Sequence, residues 1–296
     1  MMFTAVASPF LVPYHGGFLA RTWPTKTDEI VLDKKAYEKE MEQLGERVDE
    51  AQRMLYAQDQ YSVLLIFQAL DAAGKDGTIR AVTRGINPAG CQVFSFKQPS
   101  KEELDHDFLW RTTKRLPERG RIGIFNRSYY EEVLVVRVHP EYLDYQKLPD
   151  ATRGDELWQQ RYHSIRQHEE HLARNGTIIL KFWLNVSRDE QRRRFLARID
   201  TPEKHWKFAA GDVAERRYWE EYMDAYQDAL SATSRPWAPW YAIPADDKRA
   251  MRVSVARVLT ETLESLNLSY PVVSDSQRDE LKKMRAQLVN EGDTIP

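Results

Sequence analysis

With 296 residues, 30% of them charged and 42% apolar, the chain has room for one large globular unit with appendages, and its composition does not mark it as disordered. A formal net charge of −2 gives no global attraction for nucleic acid or an anionic membrane, so any anion site has to be a local patch. The single cysteine, Cys91, rules out an internal disulfide and a cysteine-based zinc centre, and it suits a reducing cytosol.

Taken in chain order, residues 1–32 are rich in Pro, Gly and Thr without a period, and read as an extended arm. The opening stretch has no basic residue before Arg21 and carries Pro9 and Pro13, which makes a poor signal peptide. No apolar run approaches the ~20 residues that a membrane span needs, so a cytoplasmic protein without a membrane partner is expected. Asp33 is placed to cap a helix running to about Gln58, in which Tyr37, Met41, Leu44, Val48, Ala51 and Leu55 recur at helical spacing. A stripe this short packs on its own domain.

From Tyr61 onward, strand and helix patterns alternate. Strands are expected at 63–69, 91–96, 122–125, 177–186 and 241–243. Helices are expected at 78–84, 101–115, 129–138, 155–174, 188–199, 212–231 and 246–268, with a last one at 276–289 in a polar tail. This order implies an α/β fold of three layers around a mainly parallel five-stranded sheet, in which ligands bind at the carboxyl ends of the strands. Cys91 falls in the second strand, as a small buried filler.

The first strand end reads Asp71-Ala72-Ala73-Gly74-Lys75-Asp76-Gly77-Thr78. An apolar run, a loop of small residues with one lysine, then a helix is the layout of a phosphate cradle, where backbone N–H groups and a helix N-terminus face an anion. The match to G-x-x-x-x-G-K-[ST] is imperfect, with Ala69 at the first glycine and Asp76 at the hydroxyl position, which Thr78 could replace. Asp71 beside phosphates makes sense with Mg2+ between them. The bland alternative is an ordinary strand-to-helix turn with a solvated Lys75.

At the second strand end Lys97 is a credible anion ligand. On the helix that follows, burial is expected for Trp110, and His106 has no partner histidine for a metal. At the third, Asn126 offers a neutral oxygen, Arg127 a bidentate phosphate clamp, and Glu131 a carboxylate one turn on. The alternative is that Asn126 merely caps a helix beginning near Tyr129. After the fourth strand, Ser187 and Glu190 form a capping box for a helix bearing Arg188, Arg192, Arg193, Arg194 and Arg198. Such a run is either a solvated face or a lid over the phosphate loop. Aromatic residues are too sparse among these charges for a nucleic-acid patch.

Together, DAAGKDGT (71–78), FKQPS (96–100), HDFLWR (106–111), GIFNRSYYEEVLVVRVHPE (123–141), PEKHWKF (202–208) and APWYAIPADDK (238–248) resemble the family-2 polyphosphate kinases of the P-loop kinase superfamily. The resemblance covers roughly Tyr61 to Leu268. It implies a P-loop kinase fold with residues 1–60 as N-terminal arm and helical extension, 61–270 as catalytic unit with a helical lid at about 188–215, and 271–296 as tail. It also implies Mg2+-dependent, reversible transfer of a terminal phosphoryl group from inorganic polyphosphate to AMP or ADP or their guanine counterparts, with Mn2+ as the other candidate metal. Asn126 where the family usually has Asp, with Glu131 following, resembles the subgroup that phosphorylates both AMP and ADP.

Carried over by position, Asp71, Lys75 and Arg127 are the catalytic residues, with Asp71, and Glu131 beside it, toward the metal. Gly74, Gly77, Thr78, Lys97, Arg111, Asn126 and Glu131 fall on the acceptor side. Arg188, Arg192, Arg193, Lys204 and Lys207 line a polyphosphate channel. The resemblance further implies a homo-oligomer, a dimer or tetramer. The competing readings are an ATP-dependent nucleoside monophosphate kinase, separated by supplying ATP or polyphosphate to AMP, and a non-catalytic polyphosphate or nucleotide binder, separated by turnover.

Overall fold

Five strands and eleven helices make up the computed structural model, which describes residues 3–149, 154–207 and 210–292. In chain order these are α1 (Lys34–Gln58), β1 (Ser62–Gln68), α2 (Lys75–Val82), β2 (Cys91–Ser95), α3 (Lys101–Leu104), α4 (Trp110–Thr113), β3 (Ile122–Asn126) and α5 (Val135–Val138). There follow α6 (Asp155–Arg174), β4 (Thr177–Asn185), α7 (Arg188–Ile199), α8 (Ala210–Ala214), α9 (Trp219–Thr233), β5 (Trp240–Pro244), α10 (Lys248–Ser265) and α11 (Asp275–Gly292).

The strands form one sheet in the order β2-β3-β1-β4-β5, and every pairing is parallel. The expected sheet is therefore present, wholly parallel rather than mainly so. Alternate residues of β1 feed opposite layers: Val63, Leu65 and Phe67 pack with α1, α2 and α10, while Leu64 and Ile66 pack with α6 and α9. Asp33 caps α1 as expected, its carboxylate accepting from the Ala36 N–H at 2.8 Å.

The N-terminal arm closes one side of the sheet. The Val12 N–H donates to Trp240 O at 2.9 Å, and the Ala242 N–H donates to Phe10 O at 2.8 Å. The Trp23 indole adds a bond to Ala242 O at 2.8 Å. The far side, β2, keeps Gln92 and Val93 exposed. Cys91 on that edge is only half-buried, which corrects the expectation of a core filler. Burial still pushes its thiol up to about 11, so it stays protonated and unreactive.

Some expected helices are broken. The 101–115 stretch yields only α3 and α4, because Asp107 starts a new turn by accepting from the Leu109 N–H at 2.9 Å. Trp110 is half-buried, stacked on His106 at 3.7 Å between ring centroids, where burial was expected. The 129–138 stretch opens as a 3-10 turn, Tyr129–Val133, before α5. The expected 212–231 helix is divided into α8, a 3-10 turn at Glu215–Tyr218, and α9. Among the described residues no helix is long and apolar enough to cross a membrane.

A buried ionic cluster joins β4, α6 and the turn after β3. The Lys181 ammonium donates to Glu169 Oε2 at 2.6 Å, to the Tyr130 hydroxyl at 2.9 Å and to Thr233 O at 2.9 Å. Glu169 Oε1 accepts from the Tyr129 and Tyr130 hydroxyls, each at 2.9 Å. All four side chains are buried, and they satisfy one another.

Candidate active site

The loop between β1 and α2 wraps around its own lysine. Gly74 stands before α2 at φ +111°, a left-handed conformation that glycine adopts without strain, and a Cβ there would meet Met251 Cε at 3.2 Å. This lets α2 begin at Lys75, three residues before the expected start, so its first N–H groups face the cleft. Lys75 Nζ donates to Ala69 O at 2.7 Å. Removal from water, and then the nearby Arg127 charge, pull its pKa down to about 8 against the pull of Asp71, Glu131 and Asp76.

Beside it, β3 delivers Asn126 and Arg127. Its register against β1 sets Asn126 opposite Phe67, so both loops leave the sheet at one level. Arg127 takes φ +64° while its N–H donates to Phe67 O at 3.0 Å. Its guanidinium bridges two carboxylates, Asp71 Oδ1 at 2.8 Å and Glu131 Oε2 at 3.1 Å. Burial raises the Glu131 pKa, and Arg127 opposes that rise. Asn126 does not cap the following turn, which Ser128 does by accepting from the Tyr130 N–H. The Asn126 amide instead donates to Asp76 Oδ1 at 2.8 Å.

These groups open onto a cleft of about 750 Å³ lined by the 71–77 loop, Lys97, Asn126, Arg127, Arg198, Trp206 and Asp212. A narrower recess adjoins it, sharing Asp71, Arg127 and Asp212 and continuing past Glu131 to Trp219, Tyr222 and Tyr226. Asp71, Gly74, Lys75, Gly77, Lys97, Asn126 and Arg127 are thus brought together on the cleft, and Glu131 on the recess. Two expected ligands are not presented. The Thr78 hydroxyl is fully buried and donates to Gly74 O at 3.1 Å, because that loop closes into the first turn of α2. Arg111 is buried and supports the site indirectly, donating to Lys97 O at 2.7 Å.

The arginine-rich helix is part of the cradle's wall. Arg194, expected on either a solvated face or a lid, is buried. Its guanidinium donates to Ala73 O at 2.5 Å and to Ala245 O at 2.5 Å, and its Nε to Glu190 Oε1 at 2.7 Å. Gln191 holds Asp71 O at 2.9 Å. Glu190 therefore faces arginines, and the expected capping box is only half made. Ser187 Oγ accepts from the Glu190 N–H, while the Ser187 N–H is taken by Asp246. Arg188, Arg192, Arg193 and Lys204 are exposed on the outer side, away from the cleft lining. Lys207 ends the 3-10 turn Pro202–Lys207, and its side chain and Phe208 lie outside the described residues.

Sequence reasoning missed Arg194, Gln191 and Asp212. A charge run gives no sign of which member turns inward. The available hint was a half-buried helix starting at a strand end, whose inward positions near the loop must be polar to satisfy its carbonyls.

Asp71 and Glu131 converge closely enough for one guanidinium to bridge them, and a hard dication prefers such oxygen donors. Among the described residues no group of three or more His, Cys, Asp or Glu side chains is placed to hold a metal. Two carboxylates suit Mg2+, which is commonly held by one or two carboxylates with substrate phosphates completing the shell.

Known proteins resemble the chain along most of its length. The family model described as polyphosphate kinase 2 (PPK2) matches residues 31–270. A Rhodopseudomonas palustris protein named ADP-polyphosphate phosphotransferase is 58% identical over 268 residues, which are 90% of this chain and 93% of that one. The AMP/ADP-polyphosphate phosphotransferase of Meiothermus ruber is 45% identical, over 86% of this chain and 91% of its own. The crystal structure of polyphosphate kinase 2 from Arthrobacter aurescens superposes with a TM-score of 0.84 at 35% identity, covering 96% of this chain and 98% of that one. With a family match across the whole sheet and relatives aligned nearly end to end, the chain belongs to the polyphosphate kinase 2 family and carries its P-loop kinase fold.

Proposed function

We propose that the protein transfers the terminal phosphoryl group of inorganic polyphosphate to ADP and AMP, or their guanine counterparts, reversibly and with Mg2+ or Mn2+. The observation that carries this is the convergence of Lys75, Arg127 and Asp71 from two neighbouring strand ends onto one cleft. The Rhodopseudomonas and Meiothermus relatives both bear polyphosphate phosphotransferase names. Lys75 and the N-terminus of α2 offset charge on the transferring group, and Arg127 supplies a bidentate clamp. Asp71 and Glu131 would hold the metal, which when bound neutralises phosphate charge. Phosphoryl transfer needs positioning and charge neutralisation more than covalent chemistry, and the loop, held by Gln191 and Arg194, is rigid enough to supply them.

In this reading Arg188, Arg192, Arg193 and Lys204 form a basic track for a long polyanion leaving the cleft, with residues 188–215 acting as a lid hinged on the buried half of α7. The division into 1–60, 61–270 and 271–296, a cytoplasmic location, a homo-oligomer contacting through α1 and the tail, and the lack of a nucleic-acid or membrane partner belong to the same proposal. Purified protein incubated with AMP, Mg2+ and long-chain polyphosphate is expected to yield ADP and then ATP by chromatography. ADP formed only when ATP replaces polyphosphate would overturn the proposed donor.

Two further outcomes are expected. Because the charged form of Lys75 is the useful one, kcat/KM should fall as pH rises through about 8, by roughly tenfold per unit well above it. Lys75→Arg keeps its charge there, so a pH profile with the same alkaline fall in that variant would remove Lys75 as the cause. Asn126→Asp sets two carboxylates where an amide now donates to Asp76 at 2.8 Å. The repulsion should shift the ratio of kcat/KM between AMP and ADP by about tenfold, equivalent to about 1.4 kcal/mol. An unchanged ratio would show that Asn126 is not the determinant.

A further inference from the structure

We propose that in the substrate-free enzyme Arg127 locks the two metal carboxylates, so that the dication is captured together with phosphate and not before it. The inference rests on the phosphotransferase reading. Arg127 is the bridging group: one guanidinium nitrogen lies 2.8 Å from Asp71 Oδ1 and the other 3.1 Å from Glu131 Oε2. The arrangement is held from behind as well as in front. The Arg127 N–H is tied to Phe67 O at 3.0 Å, and the Asp71 carbonyl is tied to Gln191 at 2.9 Å. Asp71 and Glu131 carry two negative charges, and Arg127 already satisfies one oxygen of each.

A bound Mg2+ requires oxygens at about 2.0–2.1 Å. A guanidinium that already donates to one oxygen of each carboxylate competes with the dication for the same negative charge, and the two cations repel each other across the cleft. Phosphate resolves the conflict. A phosphate group offers the guanidinium a bidentate partner of higher charge. With Arg127 turned to the phosphate, Asp71 and Glu131 would be free to hold the metal, whose charge would offset that of the phosphate. Metal and phosphate then bind cooperatively, each strengthening the other by the same factor. Lys75 does not substitute for the lock, since its ammonium is engaged with Ala69 O.

The test uses Mn2+ and substrate-free enzyme, following the free-ion signal by electron paramagnetic resonance. Arg127→Gln should bind Mn2+ about tenfold more tightly than wild type, within the range of ordinary coupling between sites. Arg127→Lys, which keeps one charge but cannot span both carboxylates, should fall between them. Adding Asp71→Asn to Arg127→Gln should remove the gain. Equal or weaker Mn2+ binding by a folded Arg127→Gln variant, checked by circular dichroism, would overturn the proposal. Should that variant fail to fold, Arg127→Lys decides by the same criterion. Loss of polyphosphate-dependent turnover in wild type would instead overturn the functional reading, and the Mn2+ titration would still report on the lock.

Discussion

Lys75→Ala is expected to lower kcat by at least about 10²–10³-fold, the scale seen when one preorganised group that stabilises developing charge is removed. The ammonium sits at the first turn of α2, between the small-residue loop and Arg127, and among the described residues the other lysine lining the cleft is the exposed Lys97. The fold should survive the change. Burial penalises the charged form of Lys75, and its hydrogen bond is to a carbonyl of its own loop, so the truncation removes a desolvated charge and opens no apolar core. Steady-state kinetics and a thermal melt on one preparation check both halves. Near-normal turnover would sink the catalytic assignment of the loop, whereas an inactive and unfolded variant would relocate Lys75 to the architecture.

The largest loss of stability is expected far from the cleft, in Glu169→Leu. Glu169 and Lys181 are both buried, and the carboxylate also accepts from two tyrosine hydroxyls. Removing the anion leaves an ammonium in the core with one neutral hydroxyl and one carbonyl as partners, which should cost about 3–5 kcal/mol. For a chain of this size that corresponds to a fall in Tm of roughly 6–20 °C. Pairing it with Lys181→Met should recover much of the loss, because two apolar side chains no longer strand a charge. A single variant that melts within a degree or two of wild type would mean the cluster contributes specificity and no stability. Tyr129 and Tyr130 belong to the turn carrying Glu131, so activity should drop before the fold does.

Much of the architecture was legible because the responsible signals are local. Apolar runs of strand length separated by helical patterns gave the sheet, and Asp33 before a regular stripe gave α1 at both of its ends. Strand-end loops pointed to Asp71, Lys75 and Arg127, which lie on one cleft at the carboxyl ends of β1 and β3. What stayed hidden is set by tertiary contact. Arg194 looks like its neighbours in sequence, and only the orphan carbonyls of Ala73 and Ala245 decide that it turns inward. Thr78 reads as a phosphate hydroxyl until the left-handed Gly74 lets α2 start early and draws that hydroxyl into the helix. The break at 101–115 comes from Asp107 capping a second turn, a competition between side chain and backbone that periodicity does not register.

The arm lying along β5 has a consequence for how the chain is made. Trp23 and its partner Ala242 are 219 residues apart in sequence, so the arm is made long before the edge strand it covers. At about 5–20 residues per second, the arm waits roughly 10–45 s for the strand it will cover. Through that interval β4 has no neighbour on its outer side, and the sheet is finished by contacts of the longest separation in the molecule. Folding is therefore expected to finish late, with the partly made sheet at its most association-prone while β5 is still missing.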